Sequence, residues 1–267
     1  MGTEITRAVA QAGYRVIMAC YNRERAAEKC RMLKEETGNP DIEVRPIDLA
    51  DLRTVAAFAE WLTLEGTPIA LLMNNAGTME PALRYTADGL ERTASVNYVG
   101  PYLLTRLLLP LMQKGTRVVQ MVSCTYAIGK LNFDYFFDQG CKRGYWRIPV
   151  YSNTKLALTL FTIRLAELVK ERGIVVNCAD PGIVSTDIVT MHMWFDPITD
   201  LIYRPLIRTP RQGADTAIRL LLDADTGLHT GMMYKNGHPR RLSEKYTRHP
   251  QLQELWDRTE KVVKLWL

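Results

Sequence analysis

Long apolar runs are missing from this sequence. None of its 267 positions lies in a stretch of 18 consecutive apolar residues, and Met1 is followed by Gly-Thr-Glu instead of a basic and then apolar leader. We therefore expect neither a membrane-spanning helix nor a secretory signal, and we expect a cytoplasmic protein. A composition of 47% hydrophobic and 24% charged residues is typical of a soluble globular protein.

Paired cysteines, metal-ligand spacing and a strong charge bias are missing as well. The five cysteines form an odd set without a C-x-x-C pair, which predicts reduced thiols. The four histidines show no ligand spacing, so we assign no metal. A net charge of +5, from 34 basic and 29 acidic residues, is too mild and too scattered to predict nucleic-acid binding, although it suits an anionic ligand.

No repeat, low-complexity tract or Pro/Gly/Ser-rich linker divides the chain, so we predict one domain over residues 1–267. Residues 251–267 place apolar side chains on one helical face and are predicted to form a C-terminal amphipathic helix. We expect this helix to dock on the domain or on a second subunit of a homo-oligomer. Contact with a membrane surface through Lys261 and Lys264 is the less favoured alternative.

Short apolar runs alternate with helical patterns along the chain. The runs cover residues 15–20, 42–48, 69–73, 117–122, 174–178 and 231–234, and the helices about 3–12, 23–36, 52–64, 87–113, 151–172 and 211–222. This alternation predicts an α/β fold with a parallel sheet that is covered by helices on both faces. Ligands of such sheets bind at the carboxyl ends of the strands.

A phenol and an ammonium lie four residues apart in Tyr151-Ser-Asn-Thr-Lys155. Positions i and i+4 share one helix face, and a nearby cation favours the phenolate, so the pair predicts a general acid/base whose pKa lies below the usual value of about 10. A solvated pair on an exposed helix face is the alternative. The polar clusters Asn74-Asn75, Ser123-Cys124 and Pro181-Gly182 follow strands and should line one crevice with Tyr151.

These residues resemble the short-chain dehydrogenase/reductase family along essentially the whole chain. The resemblance is carried by the motifs Asn74-Asn75-Ala76-Gly77, Asn97 within Ser95–Gly100, the strand-end Ser123, Tyr151-x-x-x-Lys155, and Pro181-Gly182 with Thr186. Residues 96–105 and 252–256 and the long insertion before Tyr151 are similar to the retinol-dehydrogenase-like branch. The resemblance implies a Rossmann-like, doubly wound, three-layer α/β/α fold.

The resemblance also implies hydride transfer between a nicotinamide cofactor and a carbonyl or alcohol. Tyr151 would then exchange the proton, Lys155 would lower its pKa and hold the ribose, Asn97 would anchor a proton-relay water, and Ser123 would orient the substrate. The implied cofactor-binding residues are Gly2, Tyr21, Arg23, Asp48, Leu49, Asn75, Ala76, Gly77, Tyr151, Lys155, Pro181, Gly182, Val184 and Thr186. Among these, Asp48 would contact the adenine, and Pro181, Gly182 and Thr186 the nicotinamide end.

The chain departs from the family pattern at two places. The substrate-orienting serine falls more naturally on Cys124, so either Ser123 or Thr125 turns in to replace it or the substrate oxygen is held less tightly. In addition, the first strand and the early glycines of the phosphate loop are absent, because residues 3–8 already have a helical pattern. We expect the sheet to lack its first central strand, and we interpret the chain as a truncated product or as one started at an internal methionine. Sequencing the coding DNA upstream tests this interpretation.

Cofactor and substrate preferences follow from three further segments. Cys20 and Tyr21 replace an acidic residue at the end of the first run, with Arg23 beyond, which favours NADP over NAD. Aromatic residues between Cys124 and Tyr151 and a Met/Trp/Phe-rich segment over 191–202 predict an apolar, bulky carbonyl or alcohol, unless the two clusters pack on each other or on a partner chain. The alternative function is a cofactor-poor scaffold or regulatory protein that keeps the fold without the phosphate loop.

Overall fold

A computed structural model describes residues 1–138, 144–184 and 208–267. Its helices are α1 Gly2–Gln11, α2 Arg23–Thr37, α3 Leu52–Glu65, α4 Arg92–Ala94, α5 Gly100–Leu108, α6 Arg147–Leu168, α7 Pro210–Leu222, α8 Glu244–Thr247 and α9 Leu252–Val263. Its strands are β1 Val16–Cys20, β2 Ile42–Pro46, β3 Ile69–Asn74, β4 Met112–Met121, β5 Val175–Asp180, β6 Met233–Lys235 and β7 His238–Arg240. The predicted order of strands and helices is confirmed.

Local capping signals explain why the predicted ends of α2 and α3 lie close to the observed ones. The Asn22 side chain accepts the backbone N–H of Arg25 at the start of α2, and Asp51 accepts that of Arg53 at the start of α3. Both helices end at a glycine in the left-handed conformation, Gly38 with φ 68° and Gly66 with φ 66°.

The sheet and its helices form the predicted three-layer α/β/α architecture. Strands β3-β4-β5-β6-β7 form one sheet in that order, parallel except for β7, and β1 and β2 form a separate parallel pair. Successive β4 residues point to opposite faces, so that Val118 lies in the core with α3, α5 and α6, whereas Val119 packs with α1 and α7. The carboxyl ends of β3, β4 and β5 therefore meet along one edge.

The sheet is divided where the missing central strand was expected. Within the described residues, β1 pairs only with β2, and β3 pairs only with β4. Helix α1 bridges the two parts, because Ile5 and Val9 pack against β4 and β5 while Ala10 packs with Leu33 and Ile42. The facing edges of β1 and β3 consist of half-buried and exposed residues, in contrast to the buried residues of β5.

The bounds of one predicted helix were wrong, and one hairpin was not predicted. The helical segment predicted over 87–113 runs only from Arg92 to Leu111, with a π-helical turn at Ser95–Val99, and β4 already begins at Met112. The bend predicted at Gly100-Pro101 thus lies one turn earlier. The second error is a missed hairpin, in which β6 turns into β7 through Asn236 and Gly237, both with positive φ. An Asn-Gly pair is the usual signal for such a turn and was overlooked.

The C-terminal helix docks on its own domain, as one of the expected alternatives stated. Leu255, Thr259 and Val263 are buried on the predicted face, and the Trp256 ring lies 5.2 Å from that of Tyr102. Glu260 accepts hydrogen bonds from the Tyr102 hydroxyl and the Arg106 guanidinium. Within the described ranges, no helix combines the length and apolarity needed to cross a membrane.

This docking predicts the effect of Trp256→Ala. The substitution removes aromatic contacts with Tyr102 and Phe161, and we expect it to lower the free energy of unfolding by about 2 kcal/mol. Urea denaturation measures the change, and Trp146→Ala is the matched control because Trp146 is 72% exposed. Equal, small effects of both substitutions would contradict the docking.

Candidate active site

Helix α6 brings Tyr151 and Lys155 together at the end of β4. The residues are one turn apart on the same face, and the Lys155 Nζ lies 5.4 Å from the centre of the Tyr151 ring. Lys155 is buried with 3% exposure, and its Nζ donates to the Met121 carbonyl at 2.9 Å. The alternative of a solvated pair on an exposed face is thereby excluded.

The expected lowering of the tyrosine pKa is wrong for the protein alone. Burial raises the pKa of Tyr151 to about 12, with further raising contributions from Cys124 and Asp180, and the hydrogen bond with Ser123 only partly offsets this. Because its pKa is raised, the phenol keeps its proton at neutral pH. In this protonated form, Tyr151 can donate a proton to a carbonyl substrate.

Lys155 is itself strongly perturbed. Burial lowers its pKa to about 8, opposed by the electrostatic contribution of Cys178 beneath it. Burial also raises the pKa of Cys178 to about 12, so this thiol remains neutral and gives the ammonium no counter-charge at neutral pH. The Lys155 ammonium is thus held in a site where its charge is costly.

The open choice between Ser123 and Cys124 is resolved by their side-chain positions. Ser123 lies close enough to the Tyr151 hydroxyl to lower the pKa of Tyr151, and its Oγ accepts the backbone N–H of Thr125 at 3.4 Å. Cys124 is exposed, although it lies close enough to raise the pKa of Tyr151. The Thr125 hydroxyl is buried without a hydrogen-bond partner. Ser123, the residue predicted to be catalytic, therefore turns in and Cys124 turns out.

Asn97 lies in the π-helical turn and is fully buried. Its Oδ1 accepts the backbone N–H of Thr78 at 2.7 Å, while its Nδ2 donates to the Thr78 carbonyl at 2.8 Å and to the Thr154 hydroxyl at 3.1 Å. Since Thr154 in turn donates to the Tyr151 carbonyl at 2.7 Å, Asn97 is connected to the backbone of the tyrosine. A π-turn of this kind often marks a functional position.

The segment after β3, which is predicted to shape the wall of the cofactor site, passes beside this centre at Gly77. A Cβ added to Gly77 would lie 3.4 Å from the Asn97 Oδ1 and 3.5 Å from the Lys155 Nζ, so the backbone of Gly77 passes close to both side chains. Asn75 contacts the start of α1, because a Cβ on Gly2 would lie 3.1 Å from its Nδ2. Among the described residues, the buried Asn75 Oδ1 has no hydrogen-bond partner. An unpaired buried acceptor fits a donor such as a ribose hydroxyl, whereas the backbone N–H groups at a helix N-terminus fit a phosphate.

Asp48, which is predicted to contact the adenine, and the predicted cofactor-binding residue Leu49 are fixed by different contacts. Asp48 is occupied locally, because its Oδ1 accepts the backbone N–H of Ala50 at 2.8 Å. The Leu49 carbonyl accepts the Ser95 hydroxyl at 2.9 Å and approaches Gly100 so closely that an added Cβ would lie only 2.7 Å away. Gly100 is therefore required for this approach.

Tyr21 and Arg23 are placed at the end of β1, where the sequence analysis expected them. Both side chains are exposed, Tyr21 to 71%, at the start of α2. Their position beyond the carboxyl end of β1 leaves them accessible to an anionic group.

The end of β5 is stabilised by a residue that the sequence analysis missed. Gly182 has φ 75° and packs against the Arg208 side chain, whose guanidinium contacts the Pro181 carbonyl at 3.5 Å and donates to Asn236 at 2.6 Å. The buried Val184 forms a parallel bridge with Arg208. No sequence signal links positions 26 residues apart. Thr186 and the apolar segment 191–202 lie outside the described residues.

The aromatic residues before Tyr151 divide into packed and open groups. Phe136 is buried with its ring 5.7 Å from that of Tyr98, and Phe133 and Phe137 pack against the same core. Tyr126 packs on Tyr246. Most of these rings thus pack inside the domain, and Trp146 is the most exposed of them. Whether the two apolar clusters pack on each other stays a prediction, because the second cluster lies outside the described residues.

Comparison with known proteins gives concordant results. The family model described as enoyl-(acyl carrier protein) reductase matches residues 1–237. Retinol dehydrogenase 14 of Mus musculus is 32% identical over 98% of this chain and 82% of its own length. A crystal structure of an uncharacterised Mycobacterium paratuberculosis protein superposes with a TM-score of 0.78 and 25% identity, over 98% of this chain and 89% of the other. A short-chain dehydrogenase of Burkholderia cenocepacia in complex with NADP gives 0.70 and 20%, over 88% and 90%.

The burial of Lys155 predicts an unusual pH dependence of stability. Between the folded pKa of about 8 and the unfolded value of 10.5, only the unfolded chain binds the lysine proton, so stability rises with pH across this window. Below pH 8 the folded protein carries the full cost of burying the charged Lys155 ammonium. We expect Lys155→Met to raise the free energy of unfolding at pH 7 by about 2 kcal/mol and to lose this advantage toward pH 10.

Urea denaturation at pH 7 and pH 10 measures this difference, with the exposed Lys170→Met as the matched control. A Lys155→Met advantage that stays constant between the two pH values would contradict the perturbed pKa.

Proposed function

The chain belongs to the short-chain dehydrogenase/reductase family, and on that premise we propose that it reduces apolar carbonyl compounds, or oxidises the corresponding alcohols, with Tyr151 as general acid/base. The observation that carries the proposal is the convergence of Ser123, Tyr151, Lys155 and Asn97 at the carboxyl ends of the parallel strands. Each of these residue types is common in proteins. Their joint placement brings a hydroxyl donor on Tyr151, the Lys155 ammonium and the Asn97 amide close together.

When bound, the nicotinamide cofactor supplies or accepts the hydride. The protein residues handle the proton and the orientation. The hydroxyls of Ser123 and Tyr151 lie close together and would each donate to a substrate oxygen, and Tyr151 gives its proton as the carbonyl becomes an alkoxide. The nearby Lys155 ammonium stabilises the phenolate that remains, and its charge is effective because the site is buried.

NADP is the proposed cofactor, with NAD as the alternative. Support comes from the absence of an acidic residue at Cys20 and Tyr21, from the exposed Arg23 beyond them, and from the NADP bound to the Burkholderia cenocepacia relative in fold. The ribose of the cofactor would lie beside Asn75 and Gly77, because the unpaired Asn75 Oδ1 can accept a ribose hydroxyl. Its phosphates would lie at the start of α1.

For the substrate we propose an apolar, bulky alcohol or carbonyl compound. The similarity to a retinol dehydrogenase supports this class without establishing retinol for this chain. The exposed apolar side chains of Ile128, Trp146, Ile148 and Ile183 provide apolar surface on the segments that flank the tyrosine. A cytoplasmic location and a homo-oligomer remain proposals from the sequence.

The role of Tyr151 predicts the effect of Tyr151→Phe. Removing only the hydroxyl should lower kcat about 1000-fold with an apolar aldehyde, because no other donor replaces the proton at the substrate oxygen. NADPH binding should change little. Stopped assays of NADPH oxidation measure the loss, and Tyr126→Phe is the matched control because Tyr126 is a half-buried phenol near the same site. Retention of full activity by Tyr151→Phe would contradict the assignment.

The proposed NADP preference predicts the effect of Arg23→Ala. Loss of this cation should weaken NADPH binding about tenfold and leave NADH binding unchanged, because only NADPH carries the additional phosphate. Fluorescence titration of the nicotinamide measures both constants. Arg31→Ala removes an exposed arginine of the same helix as a control. Equal effects of Arg23→Ala on both cofactors would contradict the preference.

The divided sheet supports the second candidate function, a scaffold without cofactor. The edges of β1 and β3 that face each other lack a strand partner in the described residues, and the phosphate cradle of the family lies at that position. The two candidate functions differ in NADPH binding. A scaffold would not bind NADPH even when the cofactor is at millimolar concentration.

A further inference from the structure

A buried carboxylate without a role in proton transfer lies at the start of the helix that carries Asn97. Glu91 has 0% exposure. Its Oε1 accepts the backbone N–H of Thr93 at 2.9 Å and its Oε2 that of Ala94 at 2.7 Å. Asp, Asn, Ser and Thr are the usual residues at this capping position, and a buried carboxylate is tolerated only when it is well bonded. The additional length of glutamate lets it reach other partners.

Glu91 also holds the segment that precedes α6. Its Oε1 accepts the Tyr145 hydroxyl at 3.0 Å, and its backbone N–H donates to the Phe137 carbonyl at 2.7 Å. Both bonds fix residues between β4 and α6 to the same point, one from the main chain and one from a side chain. Burial raises the pKa of Tyr145, so its hydroxyl keeps the proton that it donates.

A continuous series of hydrogen bonds leads from Tyr145 to Asn97. The Tyr145 hydroxyl lies 3.2 Å from that of Thr93, whose oxygen accepts the backbone N–H of Glu80 at 3.4 Å. The Thr78 hydroxyl donates to the Glu80 Oε1 at 3.1 Å, and the Thr78 backbone N–H donates to the Asn97 Oδ1 at 2.7 Å. Glu80 is itself buried and ion-paired with Arg92.

We propose that Tyr145, through Glu91 and Thr93, is a positioning residue that holds Asn97 and Tyr151 in the geometry needed for proton transfer. The inference rests on the proposed function. Asn97 is bonded to Thr154, which is bonded to the Tyr151 carbonyl, and Tyr145 lies two residues before α6, which carries Tyr151. The tyrosine is therefore fixed from both sides by the same network. Residues that support catalytic groups in this way determine whether those groups stay within tenths of an ångström of the reactive geometry.

The test is Tyr145→Phe, which removes the hydroxyl and keeps the ring. We expect kcat for an apolar aldehyde at saturating NADPH to fall about fivefold, with the NADPH dissociation constant unchanged. The Thr78 amide, which is bonded to Asn97, should exchange its hydrogen about fivefold faster by NMR. Tyr135→Phe is the matched control, since Tyr135 is an exposed tyrosine of the same segment. Thr93→Val should reproduce the effect, and the double variant should be no worse than either single one.

The outcomes separate the inference from the proposed function. An unchanged kcat and unchanged Thr78 exchange in Tyr145→Phe would overturn the inference, as would a lowered unfolding midpoint without a selective change at Thr78. Absence of turnover by the unsubstituted chain would overturn the proposed function. In that case the exchange of the Thr78 amide alone decides the inference, because it needs neither cofactor nor substrate.

Discussion

Burial of the Lys155 ammonium beneath Tyr151 is the constraint on which the rest of the site depends. The lysine has 3% exposure, a hydrogen bond to the Met121 carbonyl and, among the described residues, no buried carboxylate beside it, so the fold holds it at a cost in stability. A residue kept in such a position is better explained by function than by packing. Burial of the tyrosine itself raises the pKa of Tyr151 to about 12, and Tyr151 is therefore a proton donor in the protein alone.

The architecture and the central site could be predicted from the sequence because both are encoded locally. The alternation of apolar runs and helices gave the α/β fold, and Tyr151 and Lys155 are a single helix turn apart. The direction of the tyrosine pKa could not be predicted, because it depends on desolvation by residues distant in sequence. The same applies to the Arg208–Pro181 contact and to the Glu91–Tyr145 bond, which join segments separated by 27 and 54 residues.

The division of the sheet is the main contrast within the structure. The substrate side is supported by β3, β4 and β5, whose paired strands carry Asn74, Ser123 and Asp180 at or just after their ends. On the other side of the division, Tyr21 and Arg23 follow β1, which is connected to the rest through α1 and not through strand pairing. The proton-transfer centre is thus more completely constrained than the region proposed to bind the distal phosphate of the cofactor.

The central claim is that Tyr151 and Lys155 transfer a proton while a hydride moves between a nicotinamide and an apolar carbonyl carbon. Incubation with NADPH deuterated at the transferable position of its nicotinamide and with an apolar aldehyde, followed by mass spectrometry of the product, tests it most directly. The account predicts one deuterium on the alcohol carbon of the product for the unsubstituted chain, and formation of this labelled alcohol about 1000-fold more slowly by Tyr151→Phe. Absence of labelled alcohol from the unsubstituted chain, or equal rates of labelling by both, would contradict it.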